Sequence, residues 1–255
     1  MNTKIQGKKL TLRRIRQKSQ FMPFVPGIFT VGNVISGFIS LVLSLSGNFV
    51  SASFLIILGV IFDLLDGKIA RMTHATSRFG VEFDSLADFL TFGIAPSFML
   101  FAMGVYDFHH WGFLVPILYI IAGAFRLARY NLTTEHNVKT DFRGMPLPLG
   151  GIFIASYVLF SYELWGELRY KQNLTPALVL LSWLLISNVR YPATITIKPG
   201  KLFKLKLGAT ILIILAMLCK PKLFIFPVVA VYILYSFIKE IYWFISRFQR
   251  RGHEI

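Results

Sequence analysis

Cysteine is almost absent from this sequence: Cys219 stands alone, which excludes an intrachain disulfide. Acidic residues are scarce too, 12 against 27 Lys and Arg, for a formal net charge of +15. There is no G-x-x-x-x-G-K phosphate loop, no nucleophilic-serine motif and no nucleic-acid-binding module, so the positive charge calls for a partner other than nucleic acid. No internal repeat or low-complexity tract occurs. What fills the 255 residues is apolar: 55% are hydrophobic, 25 are Phe, and the mean hydropathy is +0.62. A soluble domain of this size could not hide that much apolar surface, so the expected class is an integral membrane protein.

A membrane-crossing helix needs roughly 20 apolar residues, because a lipid-facing backbone must satisfy its own hydrogen bonds. Eight such runs are expected, at about 27–45, 49–71, 84–106, 111–130, 147–165, 174–189, 205–219 and 222–246. The fold class expected is therefore all-α, a polytopic membrane helix bundle. It divides into a basic arm over 1–22, a membrane core over 23–200, and two further C-terminal helices with a basic tail over 201–255. With eight spans both termini share a side, and Lys and Arg crowd there. The arm carries Lys4, Lys8, Lys9, Arg13, Arg14, Arg16 and Lys18 without an acid. Arg71, Arg78, Arg126, Arg129, Lys139, Arg143, Arg190, Lys198, Arg247 and Arg250 fall on the same side. By the positive-inside rule that side is the cytoplasm of an inner or plasma membrane. Lys220 and Lys222 run against the rule. The arm is read as an orientation signal that also adheres to anionic lipid headgroups, and not as a cleavable signal peptide. Trp111, Trp165 and Trp243 sit near expected interfaces, and His109 and His110 lack metal-ligating neighbours beyond Asp107.

Against this background the stretch from Phe62 to Asp88, "FDLLDGKIARMTHATSRFGVEFDSLAD", stands out. At 100° per residue, Asp63, Asp66, Gly67, Ala70 and Arg71 fall within one arc of about 140° on a helix. A connection of about eight residues, "MTHATSRF", then turns the chain, and the next helix presents Gly80, Asp84 and Asp88 on one face. Two antiparallel neighbours would thus bring two pairs of carboxylates together. An Asp inside a membrane costs about 2.5–3.5 kcal/mol at the helix centre, so four need compensation. Ion pairs with Lys68, Arg71 and Arg78 are one form of compensation. Hard divalent cations are the other: Mg²⁺ or Mn²⁺ takes a few carboxylates plus substrate phosphates, and two such ions can clamp a phosphoryl displacement. Gly67 either leaves room for a ligand or serves helix packing. Arg71 offers a planar fork matched to phosphate.

The pattern Asp63-x2-Asp66-Gly67-x2-Ala70-Arg71-x8-Gly80-x3-Asp84-x3-Asp88 resembles, position for position, the signature of the CDP-alcohol phosphatidyltransferases. That resemblance implies a six-helix core, a homodimer, and transfer of a phosphatidyl group from a CDP-linked lipid to a small alcohol with release of CMP. It implies that Asp63, Asp66, Asp84 and Asp88 ligate two Mg²⁺ or Mn²⁺ ions and that Asp88 is the general base. Gly67, Ala70, Arg71 and Ser77 would contact the CDP-lipid. Asn33, in "TVGN", would face the nucleotide or bond across helices.

Other segments narrow the acceptor. "FVPGIFTVGNVISG", "SRFGVEFDSLADFLTFGIAPS", "AFRLARYN", "FRGMPLPLGG" and "SNVRYP" are similar to the membrane-integral bacterial phosphatidylserine synthases within that family. The substrates so implied are CDP-diacylglycerol and L-serine. Serine is a zwitterion, so its carboxylate calls for a fixed cation. Arg126, Arg129, Asn131, Arg143, Asn188 and Arg190 are the candidates, though each Arg is equally well read as an orientation signal. Glycerol phosphate or inositol phosphate as acceptor, an archaeal CDP-lipid as donor, or a divalent-cation transporter remain as alternatives.

Overall fold

The computed structural model describes residues 24–73, 77–105, 113–134, 142–187, 189–191 and 203–251. The basic arm, His109, His110, Trp111 and Asn188 lie outside the described residues. The described chain is helical, in the order α1 (Phe24–Leu45), α2 (Phe49–Thr73), α3 (Arg78–Asp88), a π-helical turn (Phe89–Ile94), α4 (Ala95–Ala102), α5 (Leu114–Thr134), α6 (Leu147–Trp165), α7 (Lys171–Ile186), α8 (Phe203–Cys219) and α9 (Pro221–Arg251). Five helical stretches among the described residues are long and apolar enough to cross a membrane: Gly27–Leu45, Phe49–Met72, Phe79–Ala102, Leu147–Trp165 and Pro221–Lys239. A feature not expected is a two-residue antiparallel ladder, β1 (Phe142–Arg143) with β2 (Arg190–Tyr191).

α1 and α2 form a tight hairpin. Gly47 turns the chain at φ +75°, a left-handed conformation glycine adopts without strain, and Asn48 caps α2 by accepting from Ser51 N–H at 3.3 Å. Small residues let the two backbones approach: the Ser40 hydroxyl donates across the pair to the Ala52 carbonyl at 3.0 Å. α3, the π turn and α4 form one rod against α1, while α6 packs on α2, α9 on α6, and α5 on α7. At the end of α6, Lys222 pairs with Glu163 at 3.1 Å, which offsets one of the two lysines that ran against the charge rule.

The third rod differs from expectation in two ways. Helix begins at Arg78, two residues before the expected start at Gly80, because Ser77 caps it: the Ser77 hydroxyl accepts from Gly80 N–H at 3.0 Å. With α2 running to Thr73, the connection is shorter than the expected "MTHATSRF". The rod then widens at Phe89–Ile94, where Ala95 N–H donates to Leu90 five residues back. Pro96 follows, and having no N–H it cannot make the i→i−4 bond to the Phe92 carbonyl. The buried Tyr119 hydroxyl of α5 donates to that carbonyl at 3.2 Å. Gly150 of α6 makes the room, since a Cβ there would stand 2.4 Å from the Tyr119 oxygen. Tyr119→Phe is expected to cost about 1–3 kcal/mol, the penalty for a buried acceptor left without a donor. The thermal unfolding midpoint in detergent checks this, and an unchanged midpoint would refute the account.

Candidate active site

The site is built where the third rod crosses α1 and α2. α2 supplies Asp63 and Asp66, α3 supplies Asp84 and Asp88, and the crossing brings carboxylate oxygens of Asp63, Asp66 and Asp84 within 4.8 Å of one another. Asp66 and Asp88 are buried, and Asp63 and Asp84 half-buried. The carboxyls of Asp66 and Asp84 come within hydrogen-bonding reach of each other. Asp84 Oδ1 is buried with no hydrogen-bond partner. Clustered carboxylates and an orphaned buried oxygen are a poor arrangement for a protein by itself, because like charges in low dielectric repel strongly. They are a good one for a hard divalent cation, whose ligands are oxygens of this kind. The three residues therefore fit a metal ion.

Asp88 is not among those three. Its Oδ1 accepts from Asn33 Nδ2 at 3.2 Å, and Asp66 Oδ2 accepts from the Thr30 hydroxyl at 2.9 Å. Both donors come from α1. Thr30 is a residue that the sequence did not single out; its only signal is a polar side chain three positions before Asn33, on a helix that also carries Ser36, Ser40 and Ser44. Asn33 itself is fully buried, and its carbonyl accepts from the Thr91 hydroxyl of the π turn at 2.9 Å.

Lys68 and Arg71 are exposed. The buried guanidinium whose charge acts on Asp88 and Asp63 is Arg126 of α5, 7% exposed and seated over the Tyr130 ring at 5.4 Å. The helix period separates Arg129 from it. Arg129 donates to the carbonyls of Ile186 at 2.6 Å, Ser187 at 3.2 Å and Leu185 at 3.4 Å, the unsatisfied C-terminal end of α7. Asn131 donates to Glu82 Oε2 at 3.0 Å and accepts from the Ser85 hydroxyl at 3.3 Å, which ties α5 to α3. Arg129 and Asn131 thus make structural contacts here. Of Arg143 and Arg190 the backbone is described: they are direct cross-strand partners on the ladder.

The ladder draws three separate segments together. Gly144 N–H donates to Val189 at 2.9 Å and Met145 N–H to Leu184 at 3.0 Å, so residues 142–145 are tied to Leu184 and residues 189–191, beside the Arg129 clamp on the end of α7. On the acid side, Gly67 faces open space, with nothing within 4 Å of where a Cβ would stand. Ala70 is half-buried, and Arg71 and Ser77 are exposed. The Ser77 hydroxyl is already engaged as the cap of α3.

Comparison with known proteins agrees with this geometry. The family described as CDP-alcohol phosphatidyltransferase matches residues 23–186. A CDP-diacylglycerol–serine O-phosphatidyltransferase of Helicobacter pylori is 34% identical over 219 residues, covering 85% of this chain and 91% of its own. A Bacillus subtilis protein of the same name is 32% identical over 176 residues, 67% of this chain and 91% of its own. An archaetidylserine synthase of Methanothermobacter thermautotrophicus is 34% identical over 170 residues, 66% of this chain and 69% of its own. With the acid pattern on α2 and α3 and a match over more than half its length, the chain belongs to the CDP-alcohol phosphatidyltransferase family.

Proposed function

We propose that the chain transfers the phosphatidyl group of CDP-diacylglycerol to the hydroxyl of L-serine, giving phosphatidylserine and CMP. The observation that carries this reading is the convergence of "AFRLARYN", "FRGMP" and "SNVRYP" on one ladder. These segments are similar to those of phosphatidylserine synthases, and two of the relatives above bear that activity in their names.

In this reading Asp63, Asp66 and Asp84 hold a divalent cation, and Asp88 joins them around a second. Bound there, Mg²⁺ or Mn²⁺ would offset negative charge on the diphosphate and acidify a nearby hydroxyl. The protein does the rest. Gly67 and Ala70 leave room for the CDP moiety against α2, and Arg71 and Ser77 meet its phosphates. Arg126, Arg143 and Arg190, with Asn188, meet the serine carboxylate, while Arg129 holds the ladder. Asp88 takes the proton of the serine hydroxyl as that oxygen bonds to the lipid-linked phosphorus and the bond to CMP breaks. The site lies at the cytoplasmic end of an eight-span bundle with a six-helix core over 23–200, both termini cytoplasmic, acting as a homodimer.

The test is to supply purified protein with CDP-diacylglycerol and Mg²⁺ or Mn²⁺, offering serine, glycerol phosphate, inositol phosphate and choline separately. CMP release and phosphatidylserine are expected with serine alone. Release with another acceptor instead would replace serine and keep the reaction class. Divalent-cation flux through liposomes without lipid turnover would displace the enzyme reading altogether.

A further inference from the structure

We infer that Thr30 and Asn33, one turn apart on α1, are positioning residues for two different carboxylates of the site: Thr30 fixes Asp66, and Asn33 fixes Asp88. The inference rests on the metal-dependent transfer proposed above and goes beyond it by dividing the labour within α1.

The geometry is specific. Thr30 is 5% exposed and Asn33 fully buried, so neither side chain is a surface group. Each donates one hydrogen bond to one oxygen of one acid, at 2.9 and 3.2 Å. A carboxylate turns freely about its last torsion, so a donor locking one oxygen also aims the other. The Asn33 main chain is held by Thr91, whose hydroxyl donates to its backbone carbonyl, and Gly59 of α2 packs so closely that a Cβ there would stand 2.9 Å from Asn33 Oδ1, a buried oxygen with no hydrogen-bond partner. Asn33 is fully buried, so it offers no surface to a nucleotide in this packing. The sequence-based assignment of Asn33 to the CDP-lipid therefore gives way to its other reading, a bond across helices, and the bond falls on Asp88.

The two residues should fail differently. Asp66 belongs to the trio that fits a cation, so Thr30→Val, which keeps the volume and removes the hydroxyl, is expected to weaken Mn²⁺ binding about 10- to 100-fold, the usual loss when a ligand's hydrogen-bond partner is removed. Thr30→Ser restores it. Asp88 lies outside the trio, so Asn33→Leu is expected to leave Mn²⁺ binding at that trio within about twofold, to weaken the second ion about 10- to 100-fold, and to lower kcat by a similar factor, with KM for CDP-diacylglycerol unchanged. A nucleotide contact would instead raise that KM.

The experiment is a Mn²⁺ titration followed by electron paramagnetic resonance on full-length protein in detergent, without substrate, for wild type, Thr30→Val, Thr30→Ala, Thr30→Ser, Asn33→Leu and Asp66→Asn, followed by kinetics at saturating metal. Thr30→Ala serves where Thr30→Val does not fold. Weakened Mn²⁺ binding in the Val or Ala variant with recovery in Ser supports the inference. Wild-type Mn²⁺ affinity in the Val or Ala variant, with binding lost in Asp66→Asn, overturns the role of Thr30 while sparing the metal site. A raised KM for CDP-diacylglycerol with kcat intact in Asn33→Leu overturns the role of Asn33. Unchanged Mn²⁺ binding in Asp66→Asn overturns the metal reading itself, and with it the inference.

Discussion

Asp84→Asn is expected to lower CMP release about a thousandfold, since a metal ion's stabilisation of phosphoryl transfer is worth several kcal/mol and each 1.36 kcal/mol is tenfold in rate. The substitution keeps shape and removes charge. Asp84 is the best placed of the four for this test because its Oδ1 is buried with no hydrogen-bond partner, so an amide there disturbs no bond at that oxygen. It belongs with Asp66 and Asp63 to the group whose oxygens lie inside 4.8 Å. Without metal the same change removes a like-charge contact, so the unfolding midpoint of the metal-free protein should rise as activity falls. Activity is measured as CMP formed from CDP-diacylglycerol and serine in detergent, and stability by thermal unfolding in chelator. Full activity in the variant would end the metal-carboxylate account. Lost activity with a lowered midpoint would mean that Asp84 serves the fold.

The second large effect is expected at Gly144. Its φ is +84°, and a Cβ there would stand 2.6 Å from both the Leu185 carbonyl oxygen and Arg129 Nη2. Gly144→Ala thus combines left-handed strain of about 1–2 kcal/mol with overpacking of about 1–3 kcal/mol. The neighbours cannot yield cheaply. One is backbone at the end of α7, and the other is the guanidinium that satisfies that end. A loss of about 3 kcal/mol in unfolding free energy is the expected result. Gly166 supplies the control: it also has positive φ, +73°, but open space around it, so Gly166→Ala should cost only the strain term, about 1–2 kcal/mol. Equal losses at the two glycines would show that the contact with the clamp contributes nothing. The functional corollary is that Gly144→Ala raises KM for serine more than for CDP-diacylglycerol, because the ladder under the clamp carries Arg143 and Arg190.

Much of the site was legible in one dimension because it is built on helices, where spacing fixes direction. Asp63 and Asp66 share a face of α2 and Asp84 and Asp88 a face of α3, and α1 packs on both helices. Three of the four acids do meet. What the spacing did not show is a buried cation from another helix. Lys68 and Arg71, near in sequence, are exposed, whereas Arg126, about 40 positions beyond Asp84, is buried and its charge acts on Asp88 and Asp63. Arg126 and Arg129 looked alike on paper, but three residues of helix turn them about 60° apart, one toward the acids and the other toward the carbonyls of α7. The π turn was invisible because Pro96 reads only as a break, and what rescues the freed carbonyl is a tyrosine hydroxyl from another helix.

By itself the sequence determined that this is a membrane helix bundle, since apolar run length and composition suffice for that. It also determined the acid pattern and, with it, the family, since both are local periodicities. Only the tertiary structure decided which acids cluster, which residue opposes their charge, and that α1 holds two of them through Thr30 and Asn33. Those hydrogen bonds join residues 36 and 55 positions apart. A bond of that kind depends on where helices cross and how closely glycines such as Gly59 let them approach, which is a property of packing and leaves no spacing rule in the chain.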